Sequence, residues 1–219
     1  MCGRFANSED PEIQAAYFLA KAAAQGWRPT WNAAPTQSLP VVMQTEAGRE
    51  LVLMRWGWQR SFERTQLLVN ARGEEAAGKR TWQEALARRR CIVPATAFYE
   101  WSEATNQPYA FQQAQGGLFG IGALWEPSAD GNRFVLLTTI ANAVVRPVHH
   151  RMAHILPQAQ LTAWLDPATP PALVAQLIAP YPAGLMRSFP VSRAVNAVAH
   201  DTPDLLTPVS VPTQQSLFE

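Results

Sequence analysis

The chain has 219 residues, 47% of them apolar and 16% charged, with a formal net charge of +1. Such a chain can bury a sizeable core in one domain, and the mixing of apolar and charged residues excludes a disordered polymer. No apolar run approaches the roughly 18 residues needed to cross a bilayer. The start lacks the basic-then-apolar pattern of a secretion signal, so a cytoplasmic protein with no membrane partner is expected. Two cysteines, Cys2 and Cys91, make no disulfide framework. The four histidines, His149, His150, His154 and His200, have no C-x-x-C beside them, so neither a metal site nor a cofactor is expected. A monomer is the default. Charge near zero does not announce a nucleic-acid binder, although Arg88, Arg89 and Arg90 form a short basic run.

Ser8 with Glu9, Asp10 and Pro11 reads as a helix start, and the helix is expected to run through Ile13, Tyr17, Phe18 and Ala22 to near Gly26. Trp31 to Pro35 reads as a turn. Leu39 to Gln44 and Leu51 to Trp58 read as a strand pair around a polar turn at Glu46 to Arg49, and Leu67 to Arg72 as another short strand. Glu74 to Arg89 has helical composition with an apolar stripe through Trp82, Ala85 and Leu86. Strands follow at Cys91 to Val93, Phe98 to Ser102, Tyr109 to Gln112, Leu118 to Trp125 and Phe134 to Ile140, with turns at Gly116-Gly117 and Asp130-Gly131. Short helices are expected at Gln158 to Leu165 and Pro171 to Ile178, and a last strand near Met186 to Val191. The expected fold is α+β, a single domain over 1–208 with a mostly antiparallel, barrel-like β core and peripheral helices. Val209 to Glu219 is polar and bears Pro, Gln and Ser, and reads as a mobile tail.

Cys2 is the most informative residue. Once Met1 is removed, its α-amine and thiol sit on adjacent carbons. The amine can form an imine with an aldehyde, and the thiol can close on the imine carbon to a five-membered thiazolidine. An α-amine of ordinary pKa about 7.7–8.0 is partly neutral near pH 7, and a nearby cation such as Arg4 would make the thiol more reactive. Three further segments stand out: Val69-Asn70-Ala71-Arg72-Gly73-Glu74, Phe98-Tyr99-Glu100-Trp101 and His149-His150-Arg151-Met152. Each alone has an ordinary structural explanation. An Asn at a strand end is usually a turn residue, a Glu among aromatics often faces solvent from a strand, and a lone His is usually a satisfied surface or core residue.

Taken together, in this order, the segments resemble the SRAP family (SOS-response-associated peptidase, or abasic-site processing proteins). The likeness also includes Trp31-Asn32-Ala33-Ala34-Pro35, Trp56-Gly57-Trp58, Arg90-Cys91-Ile92-Val93-Pro94-Ala95 and Pro190 to Asn196. The resemblance implies a sensor of abasic sites in single-stranded DNA that forms a covalent thiazolidine through Cys2, with possible abasic-site lyase and crosslink-reversal activities. It also implies removal of Met1, by self-cleavage or by an aminopeptidase. Asn70 is then the active-site amide that orients the amine or sugar, Glu100 a proton shuttle with a raised pKa, and His149 the acid–base group for sugar ring opening. Arg4, Arg72, Arg80 and Arg151 match DNA-contacting positions, each with a structural ion pair as its alternative, and Asn32 and Pro35 would shape the pocket.

Two departures are visible. After Trp56-Gly57 the loop reads Gln59 to Arg64, leaving Phe62 where the family carries a wedge Trp that stacks on bases. The H-x-R-M-P segment ends here in Ala153. Two readings compete with crosslinking. One is a thiol peptidase with Cys2 as nucleophile and His149 as base. The other is a module that binds single-stranded DNA without covalent chemistry.

Overall fold

The computed structural model describes residues 2–24, 26–59 and 67–211. In chain order it runs through β1 (Arg4–Asn7), α1 (Pro11–Phe18), β2 (Lys21–Ala22), β3 (Thr30–Ala33), β4 (Ser38–Thr45) and β5 (Gly48–Trp56). Then come β6 (Trp58–Gln59), β7 (Leu67–Leu68), β8 (Asn70–Arg72), α2 (Gly73–Ala76), α3 (Arg80–Arg88), β9 (Arg90–Ala95), β10 (Ala97–Trp101) and β11 (Pro108–Gln113). The remainder is β12 (Phe119–Glu126), β13 (Arg133–Ile140), β14 (Arg151–Ala153), β15 (Ile155–Leu156), α4 (Leu161–Leu165), α5 (Pro171–Leu177) and β16 (Met186–Pro190).

Two larger sheets result. One has the order β16-β11-β10-β1-β3, with every pairing antiparallel. In the other, β13-β12-β9-β4-β5 are neighbours, and β5 meets β13 again through Arg133↔Arg55 and Phe134↔Trp56. The pairing therefore closes into a ring, and that two-pair parallel contact is what the expected barrel-like character amounts to. The fold class is α+β, mostly antiparallel, with the helices outside.

The period of two in the strands divides the interior. Cys91 and Val93 of β9 face a core shared with Phe5, Phe98, Phe111, Trp56 and Phe134. Ile92 between them faces a second core under α1, α3, α4 and α5 with Phe18, Trp82, Leu86 and Trp164. Buried on both faces, β9 reads as a continuous apolar run rather than an alternating one. At Gly122 a Cβ would stand 2.5 Å from the buried His154 ring, so only glycine lets β12 pass there.

Several expected elements are revised. The first helix stops at Phe18, because Leu19 turns left-handed at φ 52° and Ala20 N–H donates to Ala15 O. Lys21–Ala22 then pairs with β5 instead of continuing the helix. The expected turn at Trp31 contains a strand, β3, paired with β1. The expected Glu74–Arg89 helix is broken at Ala77–Lys79 into α2 and α3, and Gly78 lies in the break. The expected tail begins at Val209, whose N–H still donates to Pro190 O; residues 212–219 lie outside the described residues. Among those described, no helix is long and apolar enough to cross a membrane.

Candidate active site

β1 lies between β10 and β3, with Arg4 opposite Tyr99 and Phe5 opposite Phe98. Antiparallel register at Arg4↔Tyr99 carries Glu100 toward the segment that precedes β1. Cys2 has no exposed surface and packs in the central core. Asn70, the first residue of β8, reaches it from the other sheet: Nδ2 donates to Cys2 O at 2.9 Å. Asn70 sits there because β8 runs parallel to β13, with Asn70 opposite Leu136. Its Oδ1 is buried and has no partner among the described residues, so the amide keeps an acceptor for a ligand.

Glu100 is 2% exposed. Burial pushes its carboxyl up to about 7; the chain's α-ammonium pulls the other way, and Glu103 adds to the rise. The Cys2 thiol is pushed above its ordinary value by burial and then by Glu100, with a smaller opposing pull from the α-ammonium. The expectation that Arg4 activates the thiol is not met. Arg4 turns away, donating to Asn32 Oδ1 at 2.8 Å, Val195 O at 2.7 Å and Asn196 O at 3.2 Å.

His149 sits just before β14 and is mostly buried. Its Nδ1 lies 2.9 Å from Arg151 N and 3.1 Å from Arg151 O, so the ring is oriented by one backbone residue in either tautomer. Its pKa is lowered by burial and by the α-ammonium, which keeps the imidazole neutral at pH 7. Nε2 lies 3.6 Å from Glu103 Oε1. The same carboxylate oxygen contacts His150 Nδ1, and the two imidazoles stack with centroids 4.5 Å apart.

The other candidate residues divide. Asn32 is buried, and its Nδ2 donates to Val195 O, Ala197 O and His200 O, pinning the C-terminal loops to β3. With Arg4 it forms a scaffold under the site. Pro35 is half-buried just after β3. Arg151 is buried; both Nη atoms reach the Glu74 carboxylate at 3.1 and 2.9 Å, and Nη2 also reaches Thr138 O. Arg72 is exposed and pairs with Glu75 at 2.9 Å. Arg80 opens α3 from an exposed position. Phe62 lies outside the described residues. Half of the eight Trp (Trp56, Trp58, Trp82, Trp164) are core residues. Trp31 and Trp101 are half-exposed beside the Arg4 scaffold, and Trp101 Nε1 donates to Asn196 Oδ1 at 2.8 Å.

Sequence reasoning missed three carboxylates. Glu103 links both imidazoles, and Glu74 holds Arg151. Asp201 receives the Trp31 N–H and the Thr30 hydroxyl. Each acts across more than 40 residues of chain, so no local spacing marks it.

A family model described as SOS response associated peptidase (SRAP) matches residues 1–198. The chain is 30% identical over 221 residues to the abasic site processing protein YoqW of Bacillus subtilis, covering 94% of this chain and 99% of that one. It is 28% identical to the abasic site processing protein HMCES of Gallus gallus, covering 84% of this chain and 68% of HMCES. It is 25% identical to the abasic site processing protein YedK of Escherichia coli, covering 95% and 100%. Among solved structures, a Bacteroides thetaiotaomicron protein shares the fold with a TM-score of 0.85 at 19% identity, covering 95% of this chain and 100% of that one.

Proposed function

The chain belongs to the SOS response associated peptidase (SRAP) family, and from that premise we propose that it processes abasic sites in single-stranded DNA by covalent capture at Cys2. The observation that carries this reading is the set of groups around Cys2. An Asn amide holds its carbonyl, and a buried carboxyl with a pKa near 7 lies within electrostatic range of its thiol.

The chemistry follows from these groups. An abasic sugar is mostly a closed hemiacetal. His149 donates its Nε2 proton to O4′ as the C1′–O4′ bond breaks, and the C1′ hydroxyl proton returns to Nε2, which opens the ring to an aldehyde. With Met1 removed, the neutral Cys2 α-amine adds to C1′ to give a carbinolamine. Glu100, whose carboxyl burial raises to about 7, gives a proton to the departing hydroxyl and takes one from the nitrogen, so one water leaves as the imine forms. The thiol then adds to the imine carbon; its proton passes through Glu100 to the ring nitrogen, completing the thiazolidine. Running these transfers backwards reverses the crosslink. Loss of a C2′ proton from the imine instead breaks the 3′ C–O bond, which is lyase chemistry. A thiol held neutral by burial and a neutral imidazole do not make the thiolate–imidazolium pair a thiol peptidase uses, so the crosslinking reading is preferred.

The test is intact-mass spectrometry of the protein with a single-stranded oligonucleotide carrying one abasic site. The expected result is a heat-stable one-to-one adduct, less one water, on chains that begin at Cys2, and none with Cys2→Ser. No adduct on chains shown to begin at Cys2 overturns the proposal.

A further inference from the structure

Glu74 holds both members of one strand pair beside the site. β14 runs antiparallel to β13 with Arg151 opposite Ile140. The Ile140 N–H donates to Glu74 Oε1 at 2.8 Å. The Arg151 guanidinium reaches the same carboxylate with both prongs, Nη1 to Oε1 at 3.1 Å and Nη2 to Oε2 at 2.9 Å. Nη2 also donates to Thr138 O at 2.7 Å and lies 3.1 Å from Thr138 Oγ1. The Arg151 side chain is 8% exposed, so the guanidinium depends on these acceptors in place of water.

Arg151 is the first residue of β14, and its backbone meets His149: N lies 2.9 Å and O 3.1 Å from Nδ1. The two contacts demand opposite tautomers of a neutral ring. An N–H donated into Nδ1 leaves the ring proton on Nε2, whereas a carbonyl facing Nδ1 draws the proton to Nδ1. Ring opening as proposed above starts from a proton on Nε2, so only the first tautomer serves. With the two contacts nearly equal in length, a small shift at the start of β14 decides between them. The Arg151 side chain anchors that point, and Glu74 supplies the charged part of the anchor.

We propose that Glu74 is a positioning residue for sugar ring opening: by clamping Arg151 beside Ile140, it holds the Arg151 N–H on His149 Nδ1 and keeps the ring proton on Nε2. It touches no reacting atom. The rival route for its influence is Asn70, four residues earlier on the segment that enters α2, which holds Cys2 O. The effect on rate rests on the proposed function; the tautomer does not.

Long-range proton–nitrogen NMR spectra of the labelled full chain read the His149 tautomer. Nε2–H is expected in the parent chain, and a mixture with Nδ1–H in Glu74→Gln. Single-turnover crosslinking is then followed on two single-stranded oligonucleotides, one carrying an abasic sugar and one an open-chain aldehyde linker in its place. The linker needs no ring opening. Glu74→Gln should slow capture of the sugar by at least about tenfold, the scale of a misplaced acid–base group, and leave capture of the linker unchanged. Glu74→Asp keeps the charge against Arg151 and with it the fold, but is one carbon too short to hold the Ile140 N–H as well. It should show the same selectivity with a smaller loss, and it decides alone if circular dichroism shows Glu74→Gln unfolded. An unchanged tautomer, an unchanged rate on the sugar, or equal slowing on both substrates overturns the proposal. If the parent chain captures neither substrate, the proposed function fails, while the tautomer comparison still decides the clamp.

Discussion

At the scale of single residues, Glu100 shows how a site can work against the fold that holds it. Its folded pKa of about 7 lies above the ordinary 4.5. Between those values the folded chain keeps a proton that the unfolded chain has lost. Stability contributed by the neutral acid is therefore full below about pH 4.5 and lost as pH rises through 7. Glu100→Gln should raise unfolding stability at pH 8 by about 1–3 kcal/mol and change little at pH 4.5, as read by urea denaturation. The same change should slow crosslinking by about 10²–10⁴-fold, the usual worth of a general acid–base group. Asn70→Ala is expected to lower the crosslinking rate with less effect on stability, because it removes one hydrogen bond to Cys2 O and an acceptor that the fold itself does not use. Single-turnover rates and urea midpoints check both halves. Cys2, Asn70, Glu100 and His149 could be named as candidates from the sequence because each sits in a short distinctive string. Glu103 could not, because an acid two residues after Trp101 looks like any solvated turn residue.

Among the elements, the basic run at Arg88 to Arg90 is the clearest case of a pattern with two meanings. A solvated helix end describes Arg88 only. Arg90 is 4% exposed and ties two helix ends together: Nη1 donates to Leu86 O at 2.6 Å and Ala87 O at 2.8 Å, Nε to Trp164 O at 2.6 Å, and Nη2 to Asp166 O. The carbonyls that α3 and α4 leave without helical partners are satisfied by one guanidinium. Arg90→Leu should cost about 3–5 kcal/mol, since buried carbonyls lose a charged donor, and Arg90→Lys should recover only part of it. Urea midpoints of the two variants, with β12 and β9 still folded by circular dichroism, check this. Strands with continuous apolar runs were readable from sequence, and the strand pair at β4 and β5 was found with its turn. β1 and β3 were not, because four residues such as Arg4–Asn7 offer too short an alternation, and Asn32-Ala33-Ala34-Pro35 carries turn chemistry beside a strand. Those two strands carry Cys2 and its scaffold, so the site was legible in residues before it was legible in structure.

For the whole molecule, two buried titrating groups pull stability in opposite directions. His154 is fully buried against Trp164, and burial lowers its pKa to about 4. The unfolded chain takes up that proton near pH 6.5. Stability is therefore full above 6.5 and is lost as pH falls toward 4, by an amount on the order of 3 kcal/mol. Glu100 acts in the reverse sense over 4.5 to 7. Over about pH 4.5 to 6.5 the two slopes oppose and nearly cancel, so the pair leaves a urea-midpoint profile flat there, and His154→Leu should make the midpoint fall as pH rises from 4.5 to 7. A profile still flat in His154→Leu would show that His154 does not supply the opposing slope. Ring closure through Arg133↔Arg55 and Phe134↔Trp56 could not be read from the sequence, because pairings across some 80 residues leave no local periodicity.

The complete burial of Cys2 bears on what the protein meets in a cell. Peroxides, mixed disulfides and stray metabolic aldehydes react with thiols in proportion to their ionisation and their exposure. A thiol that is neutral and has no surface offers these small electrophiles almost nothing. In the proposed chemistry, the lesion differs from them by arriving on a polymer whose backbone supplies binding energy of its own. Selectivity among aldehydes then requires that docking of the strand, which a small aldehyde cannot reproduce, opens the way to Cys2.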